Sequence, residues 1–256
     1  MAKSPKRIVL KFGSGVLTTP GGNALDKKQF GRIASEIAQV IEAGHQCLIV
    51  SSAAVAAGLS AFGLKNRPED LASRQACAAV GQSKLMRMYE SAFARHKLNV
   101  AQLLLTHGDI DSRLRSTNAR NTLQHLLSAG NIVPVINEND SVAVEELKFG
   151  DNDRLSAEVA MLAQASLLII LTSVDGLLDG QGNVVPVVHD PDAVNGLVKN
   201  EKGRLSVGGM ATKLDAVRLA VNAGIPTTIA SGRRPGQIAA ILAGKSAGTR
   251  FPARNL

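Results

Sequence analysis

Two lysines of this chain stand where an anion could be held. Lys213 closes the stretch Val207-Gly208-Gly209-Met210-Ala211-Thr212-Lys213, in which two glycines, a small residue and a hydroxyl precede the cation and an amphipathic helix follows. Free backbone N–H groups at a helix start, a hydroxyl and an ammonium together suit phosphate. The stretch is not a P-loop, which needs Gly directly before Lys and Ser or Thr directly after it. Here Thr212 precedes the lysine and Leu214 follows it. Lys11 stands near the end of the apolar run Arg7 to Phe12 and is followed by Gly13-Ser14-Gly15. A snorkelling strand-end lysine is the plain reading. Glycines that let a backbone approach a ligand closely favour a functional one.

Other polar groups recur where apolar runs stop. Ser51-Ser52-Ala53-Ala54 follows Cys47–Val50, Asn137-Glu138-Asn139-Asp140 follows Ile132–Ile136, and Thr172-Ser173 follows Leu167–Leu171. Gly150-Asp151-Asn152-Asp153 lies between the last two runs. Asn and Asp also form turns for local reasons, and residues 151–153 also read as an N-cap with an acidic first turn. Several strand ends carrying glycines and both charge signs are harder to explain as solvated loops.

The elements that must carry these groups alternate. Arg7–Phe12, Cys47–Val50, Val100–Leu105, Ile132–Ile136, Leu167–Leu171 and Thr227–Ala230 read as strands. Helices are expected from Asp26 to about Ala43, from Ala54, from Pro68 to Lys97, over Ser112–Ser128, Asp153–Gln164 and Met210–Ala223. Pro134 suggests an edge or a bulge. Asp179-Gly180-Gln181-Gly182 before Val184, Val185, Val187 and Val188 reads as a hairpin. The rhythm predicts an α/β fold: an open, mostly parallel sheet sandwiched between helices in three layers. Ligands of such a sheet bind beyond the carboxyl ends of its strands. A change of role near residue 170 divides the single domain, 1–256, into two lobes.

Composition narrows the class. The chain has 256 residues, 45% of them hydrophobic, enough for a sizeable core. A net charge of +8 suits anionic partners, nucleotides and carboxylates as readily as nucleic acid. With no tryptophan and one tyrosine, base-stacking platforms are lacking, so no nucleic-acid partner is expected. Cys47 and Cys77 read as reduced core residues, without metal or redox spacing. No signal-peptide core or membrane-length apolar run occurs, and a soluble, cytoplasmic protein is expected. The histidines (His45, His96, His107, His125 and His189) are scattered and read as structural or surface residues.

The sequence resembles the amino acid kinase family. The resemblance rests on I-V-L-K-F-G-S-G-V-L-T from Ile8, S-S-A-A-V-A-A-G from Ser51, V-G-Q-S-K-L from Val80 and V-P-V-I-N-E-N-D-S-V from Val133. It continues in F-G-D-N-D-R-L-S-A from Phe149, L-T-S-V-D-G-L from Leu171 and G-G-M-A-T-K-L from Gly208, in collinear order over nearly the whole chain. It implies transfer of the γ-phosphoryl of ATP to a carboxylate, and its motifs point to members acting on the γ-carboxylate of L-glutamate. Another small carboxylate acid is the alternative, and a non-catalytic nucleotide or nucleic-acid binder is a third, suggested only by the charge.

By resemblance Lys11, Asp153 and Lys213 are catalytic, with Asp153 pairing the two lysines rather than acting as a base. Ser52, Asn137, Asp140 and Asn152 bind the substrate: Asp140 its α-ammonium, Ser52 and Asn152 its carboxylate oxygens. Lys11, Thr172, Ser173 and Val207, Gly208, Gly209, Met210, Ala211, Thr212 and Lys213 bind the nucleotide, about residues 171–256 forming its lobe. Mg²⁺ rides on the ATP phosphates. A homo-oligomer (dimer or tetramer) and coupling to glutamate-5-semialdehyde dehydrogenase are also implied. The chain departs from the family pattern at Ala53, where a glycine is usual, and at Ser173, where an aspartate is usual. The RNA-binding-like domain that follows the kinase domain in many bacterial members is expected to be absent.

Overall fold

The computed structural model describes residues 6–143, 152–194 and 209–254. Its spine is one sheet of seven strands among the described residues, in the order β3-β4-β2-β1-β5-β6-β7. These are β1 (Arg7–Phe12), β2 (Gln46–Val50), β3 (Asn99–Leu105), β4 (Ile132–Glu138), β5 (Leu167–Thr172), β6 (Thr227–Ser231) and β7 (Thr249–Phe251). The first six run parallel, as their apolar runs and helical crossovers predict, and β7 pairs antiparallel with β6. β7 is too short for sequence periodicity to signal it.

The helices are α1 (Ser14–Leu17), α2 (Lys27–Glu42), α3 (Ala54–Gly58), α4 (Leu71–Phe93), α5 (His107–Asp111), α6 (Arg113–Ser128), α7 (Asp153–Leu162), α8 (Met210–Asn222) and α9 (Gln237–Leu242). They cover both faces of the sheet. Ile8, Leu10 and Phe12 of β1 point into a core with Phe30, Ile33 and Ile37 of α2 and Leu85, Tyr89 and Phe93 of α4. Val9, with Val50 and Ile170 of its neighbours, points into a second core built on α6, α7 and α8. This two-sided burial is the expected three-layer arrangement. Asp26 caps α2 as its position predicts, its carboxylate accepting from the N–H groups of Lys28 and Gln29.

Two glycines fix the layer beside the strand ends. A Cβ on Gly58 would lie 1.9 Å from the carbonyl oxygen of Cys77, and one on Gly81 would lie 1.8 Å from that of Ala54. Nothing larger fits, so α3 and α4 meet backbone to backbone, holding the turn from Ser51 to Ala54 against the sheet. Cys47 and Cys77 are free and buried, and burial pushes the Cys47 thiol up to about 12, which leaves it inert.

Two expectations are corrected. Pro134 marks neither an edge nor a bulge: β4 lies between β3 and β2, in unbroken register with β3. The Ile136 carbonyl accepts from Ser51 N–H, so by two-residue alternation the Pro134 nitrogen also faces β2. The β2–β4 register begins only at Ile49↔Val135, so no ladder bond is lost there. The hairpin is reduced to a single antiparallel bridge, Leu178↔Val184. Asp179 turns the chain by accepting from the N–H groups of Gln181 and Asn183, and Val187 bridges to Arg250 instead. Among the described residues no helix is long and apolar enough to cross a membrane.

Candidate active site

The strand order turns at β1 and β5: β2 and β4 lie on one side of β1, β5 and β6 on the other. A parallel sheet opens a crevice at such a point, beyond its carboxyl ends. Lys11 stands there, in register with Val50 and Ile170 on the face that carries α7 and α8. Gly13 beyond it donates to the Leu171 carbonyl, tying the glycine loop to the end of β5.

Asp153 opens α7, a fully buried residue on the same face. Its Oδ1 lies 2.6 Å from Nζ of Lys11, and its Oδ2 lies 3.0 Å from Nζ of Lys213 in the first turn of α8. The Thr212 hydroxyl lies 3.1 Å from the same Oδ2. One carboxylate therefore holds two buried ammonium groups that arrive from opposite ends of the sequence. An isolated buried charge would be costly. Here two cations share one carboxylate at the mouth of the crevice, an arrangement suited to an anion.

The next residue back serves another cluster. Asn152 occupies the N-cap position of α7, but its side chain makes no capping bond. It reaches across the strand ends and donates to the Ser51 carbonyl and to Oδ1 of Asn137, the latter at 2.6 Å. Both hydrogens of its amide are spent, so it has none left to give a carboxylate. In this arrangement the side-chain atom it can still offer a ligand is an acceptor. Asn137 donates in turn to Oε1 of Gln82 at 2.7 Å. Ser51 Oγ and the Tyr89 hydroxyl, 3.0 Å apart, close the buried floor. Ser52 is buried, and its hydroxyl finds no partner among the described residues. A buried unsatisfied hydroxyl costs free energy, which a ligand bound there would recover.

Asp140 is partly buried, and burial pushes its carboxyl up to about 6 against the opposing pull of the Arg67 guanidinium. Burial and the neighbouring Arg74 in turn hold Arg67 below the usual range, with Asp140 opposing them. Glu138 is more deeply set. Burial pushes it up to about 7, the His107 charge opposing and the carboxylates of Asp140, Glu158 and Asp109 adding to it. Both of its oxygens lack a hydrogen-bond partner among the described residues. His107 itself contacts Glu158, which raises its pKa, and Arg154 also pairs with Glu158.

On the β5 side, Thr172 is buried and its carbonyl accepts from Gly232, while Ser173 is exposed beside Gly15. Gly209 caps α8, with Met210, Ala211 and Thr212 in its first turn. Val207 and Gly208 lie outside the described residues, as do Gly150 and Asp151. The structure thus gathers Lys11, Asp153, Thr212 and Lys213 in one group and Asn137 and Asn152 in another. The peptide bond between Asn152 and Asp153 joins them. Gln82 and Arg67 join these groups without being among the residues the sequence singles out. Gln82 lies inside V-G-Q-S-K-L, a motif that carries the resemblance, whereas nothing in the sequence marks Arg67.

Of the described residues, no group of three or more His, Cys, Asp or Glu side chains could hold a metal ion. Asp153, the carboxylate deepest in the crevice, has both oxygens turned to ammonium groups. This donor set does not fit a resident divalent cation; it fits one carried in on its own phosphate and water ligands.

Residues 6–231 match the family model described as the amino acid kinase family. Glutamate 5-kinase of Pelobacter propionicus is 46% identical over 253 residues, which cover 96% of this chain and 67% of the relative. Glutamate 5-kinase of Thermus thermophilus is 47% identical over 257 residues, covering 98% and 68%. This chain therefore spans about two thirds of these relatives. Among solved structures, UMP kinase from Bacillus anthracis superposes with a TM-score of 0.67 at 18% identity, covering 98% of both chains. N-acetylglutamate synthase from Neisseria gonorrhoeae, complexed with coenzyme A and L-arginine, gives a TM-score of 0.62 at 16% identity, covering 97% of this chain and 62% of that one. At such identities these two speak for the fold alone.

Proposed function

This chain belongs to the amino acid kinase family, and from that premise we propose that it transfers the γ-phosphoryl group of ATP to the γ-carboxylate of L-glutamate. Relatives named glutamate 5-kinase are 46–47% identical over nearly its whole length. It is a phosphotransferase with a carboxylate acceptor, and the reaction makes L-glutamyl 5-phosphate for proline synthesis. The observation that carries the reading is the single carboxylate of Asp153 held between Lys11 and Lys213 at the sheet's switch point.

An oxygen of the ionised γ-carboxylate attacks the γ-phosphorus in line. The bond to the β,γ-bridging oxygen breaks, and its electron pair leaves with ADP. A glutamate carboxylate is ionised at neutral pH, so no proton must be removed and no general base is needed. Positioning and charge neutralisation are what remain for the protein to supply. Lys11, at the end of β1, and Lys213, at the start of α8, neutralise the equatorial oxygens from two sides. Asp153 fixes the position of both. The first-turn amides of α8, beyond Gly209, meet the phosphates with the positive end of the helix.

The acceptor amino acid lies on the other side of Asp153, over Ser52, Asn137, Asp140 and Asn152. Thr172 and Ser173 face the nucleotide, and the lobes divide near residue 170. Mg²⁺ carried on the ATP phosphates would supply further charge neutralisation there. An acyl phosphate is prone to hydrolysis, which favours coupling to glutamate-5-semialdehyde dehydrogenase. A homo-oligomer in the cytoplasm completes the reading.

The test is a panel of small carboxylic acids with ATP and Mg²⁺, with hydroxylamine present to trap an acyl phosphate as its hydroxamate. L-Glutamate should give ADP and hydroxamate in equal amounts. ADP release without hydroxamate, or turnover of a different acid in preference to glutamate, refutes the assignment.

A further inference from the structure

Asn152 has a single polar side-chain atom left for a ligand. One hydrogen of its Nδ2 goes to the Ser51 carbonyl and the other to Oδ1 of Asn137. Its Oδ1 remains, and it can only accept. Backbone groups of fixed polarity at both ends set these amide orientations. The Ser51 carbonyl can only accept, so Asn152 turns its nitrogen toward it. The Glu138 N–H can only donate, and it reaches Oδ1 of Asn137 at 3.0 Å. Asn137 must then send its own nitrogen elsewhere, and Oε1 of Gln82 receives it at 2.7 Å. Gln82 passes its Nε2 to Oε1 of Gln102 on β3, 2.9 Å away. Four carboxamides run head to tail from β3 through α4 and β4 to the start of α7. Turning one of them over sets donor against donor or acceptor against acceptor at its neighbours.

We propose that Gln82 is a positioning residue. Through Asn137 it holds Asn152 as an acceptor, so that Asn152 Oδ1 and the Asp140 carboxylate together receive the α-ammonium of the amino-acid substrate. This rests on the reading of that substrate as L-glutamate. An acceptor in this place attracts an ammonium and repels a carboxylate oxygen, so it discriminates for the amino group. Without an acceptor at position 82, the Asn137 amide loses the partner of its nitrogen. Its orientation, and with it that of Asn152, is then held by fewer bonds.

The experiment compares L-glutamate with glutarate, the same diacid without the ammonium group. Glutarate is scored as a substrate and as a competitive inhibitor against glutamate. Gln82→Met keeps the length of the side chain and removes the amide. It should lower kcat/KM for glutamate about ten-fold, the worth of one hydrogen bond to a charged group, through KM. The inhibition constant of glutarate and the KM for ATP should stay as in the wild type. Gln82→Glu keeps an acceptor for Asn137 and should restore most of the preference for glutamate. Equal losses for glutamate and glutarate, or no loss for either, overturn the role of Gln82. A Met variant that fails to fold leaves the Glu variant to decide, since loss of the preference there also overturns it. Absence of glutamate turnover in the wild type overturns the substrate reading itself, and the inference with it.

Discussion

The Lys11 ammonium lies 2.6 Å from the Asp153 carboxylate, and both side chains are shut off from solvent. Lys213 shares the same carboxylate from α8. Both lysines depend on this one carboxylate, so its removal costs more than the removal of either cation, which leaves a matched pair behind.

Removing members of the trio should therefore have different costs. Asp153→Asn leaves two buried ammonium groups facing each other and should destabilise the fold by about 3–5 kcal/mol as well as abolish turnover. Lys213→Ala leaves the Lys11–Asp153 pair intact. It should keep the fold while lowering kcat at least about 10²-fold, through loss of a charge that stabilises the transition state. Denaturant titration and steady-state kinetics on the two variants check this. Equal stability of the two would mean that the pair is not a buried one, and wild-type turnover by Lys213→Ala would remove Lys213 from the catalytic group.

The Asp140 carboxyl titrates near 6 because burial outweighs the Arg67 charge. An ammonium is attracted only to its ionised form. Wild-type kcat/KM for glutamate should hold above pH 6 and fall toward ten-fold per pH unit below it, as the free enzyme takes up a proton. If Asp140 binds the amino acid as proposed, the KM for ATP should not follow. Asp140→Asn should give a low kcat/KM that no longer depends on pH in this range. A limb that persists in that variant would belong to another group, Glu138 being one alternative, since burial pushes it up to about 7.

Glu138 makes a stability prediction of the opposite kind. Its native carboxyl is pushed up to about 7 from the ordinary 4.5. Between those values the native state holds a proton that the unfolded chain has released. Stability from this group is complete below pH 4.5, falls as the pH rises to 7, and is flat beyond. Glu138→Gln should thus be more stable than wild type at pH 8, by roughly 2–3 kcal/mol, with the advantage shrinking toward pH 5. Denaturant midpoints at the two pH values check it. A deficit at pH 8 would show that the carboxylate is solvated or paired.

The sequence carries the α/β alternation because each central strand is a short apolar run between helical patterns. Lys11, Asn137 and Thr172 could be placed at strand ends on that basis alone. The valines after Asp179 carry a strand signal, yet Val184 and Val187 enter separate bridges, to Leu178 and to Arg250, because the segment pairs with two different partners. Pro134 signalled an edge because sequence alone does not say where the β2 ladder begins. Gln82 escaped notice because its role depends on the amide of Asn137, on a different strand, which in turn depends on Asn152. A chain of bonds through four elements leaves no local pattern. Arg67 acts on Asp140 across the same kind of gap.

Ala53 shows the reverse case, a departure visible in the sequence whose cost only the backbone reveals. It adopts φ 79°, ψ 11°, the left-handed region, where a Cβ crowds the following carbonyl at a cost of about 1–2 kcal/mol. The turn holds it there: α3 begins at Ala54 and is pinned to α4 by the contacts at Gly58 and Gly81. Glycine would remove the strain, giving back part of the gain through the greater freedom of the unfolded chain. A β-branched residue would add to the strain. Melting temperatures should therefore fall in the order Ala53→Gly, wild type, Ala53→Val, with the glycine variant ahead of wild type by about 0.5–1 kcal/mol. Since Ser52 precedes this turn, the glycine variant should also bind glutamate at least as tightly as wild type. A glycine variant less stable than wild type would mean that packing of the Ala53 methyl in the apolar core outweighs the backbone strain.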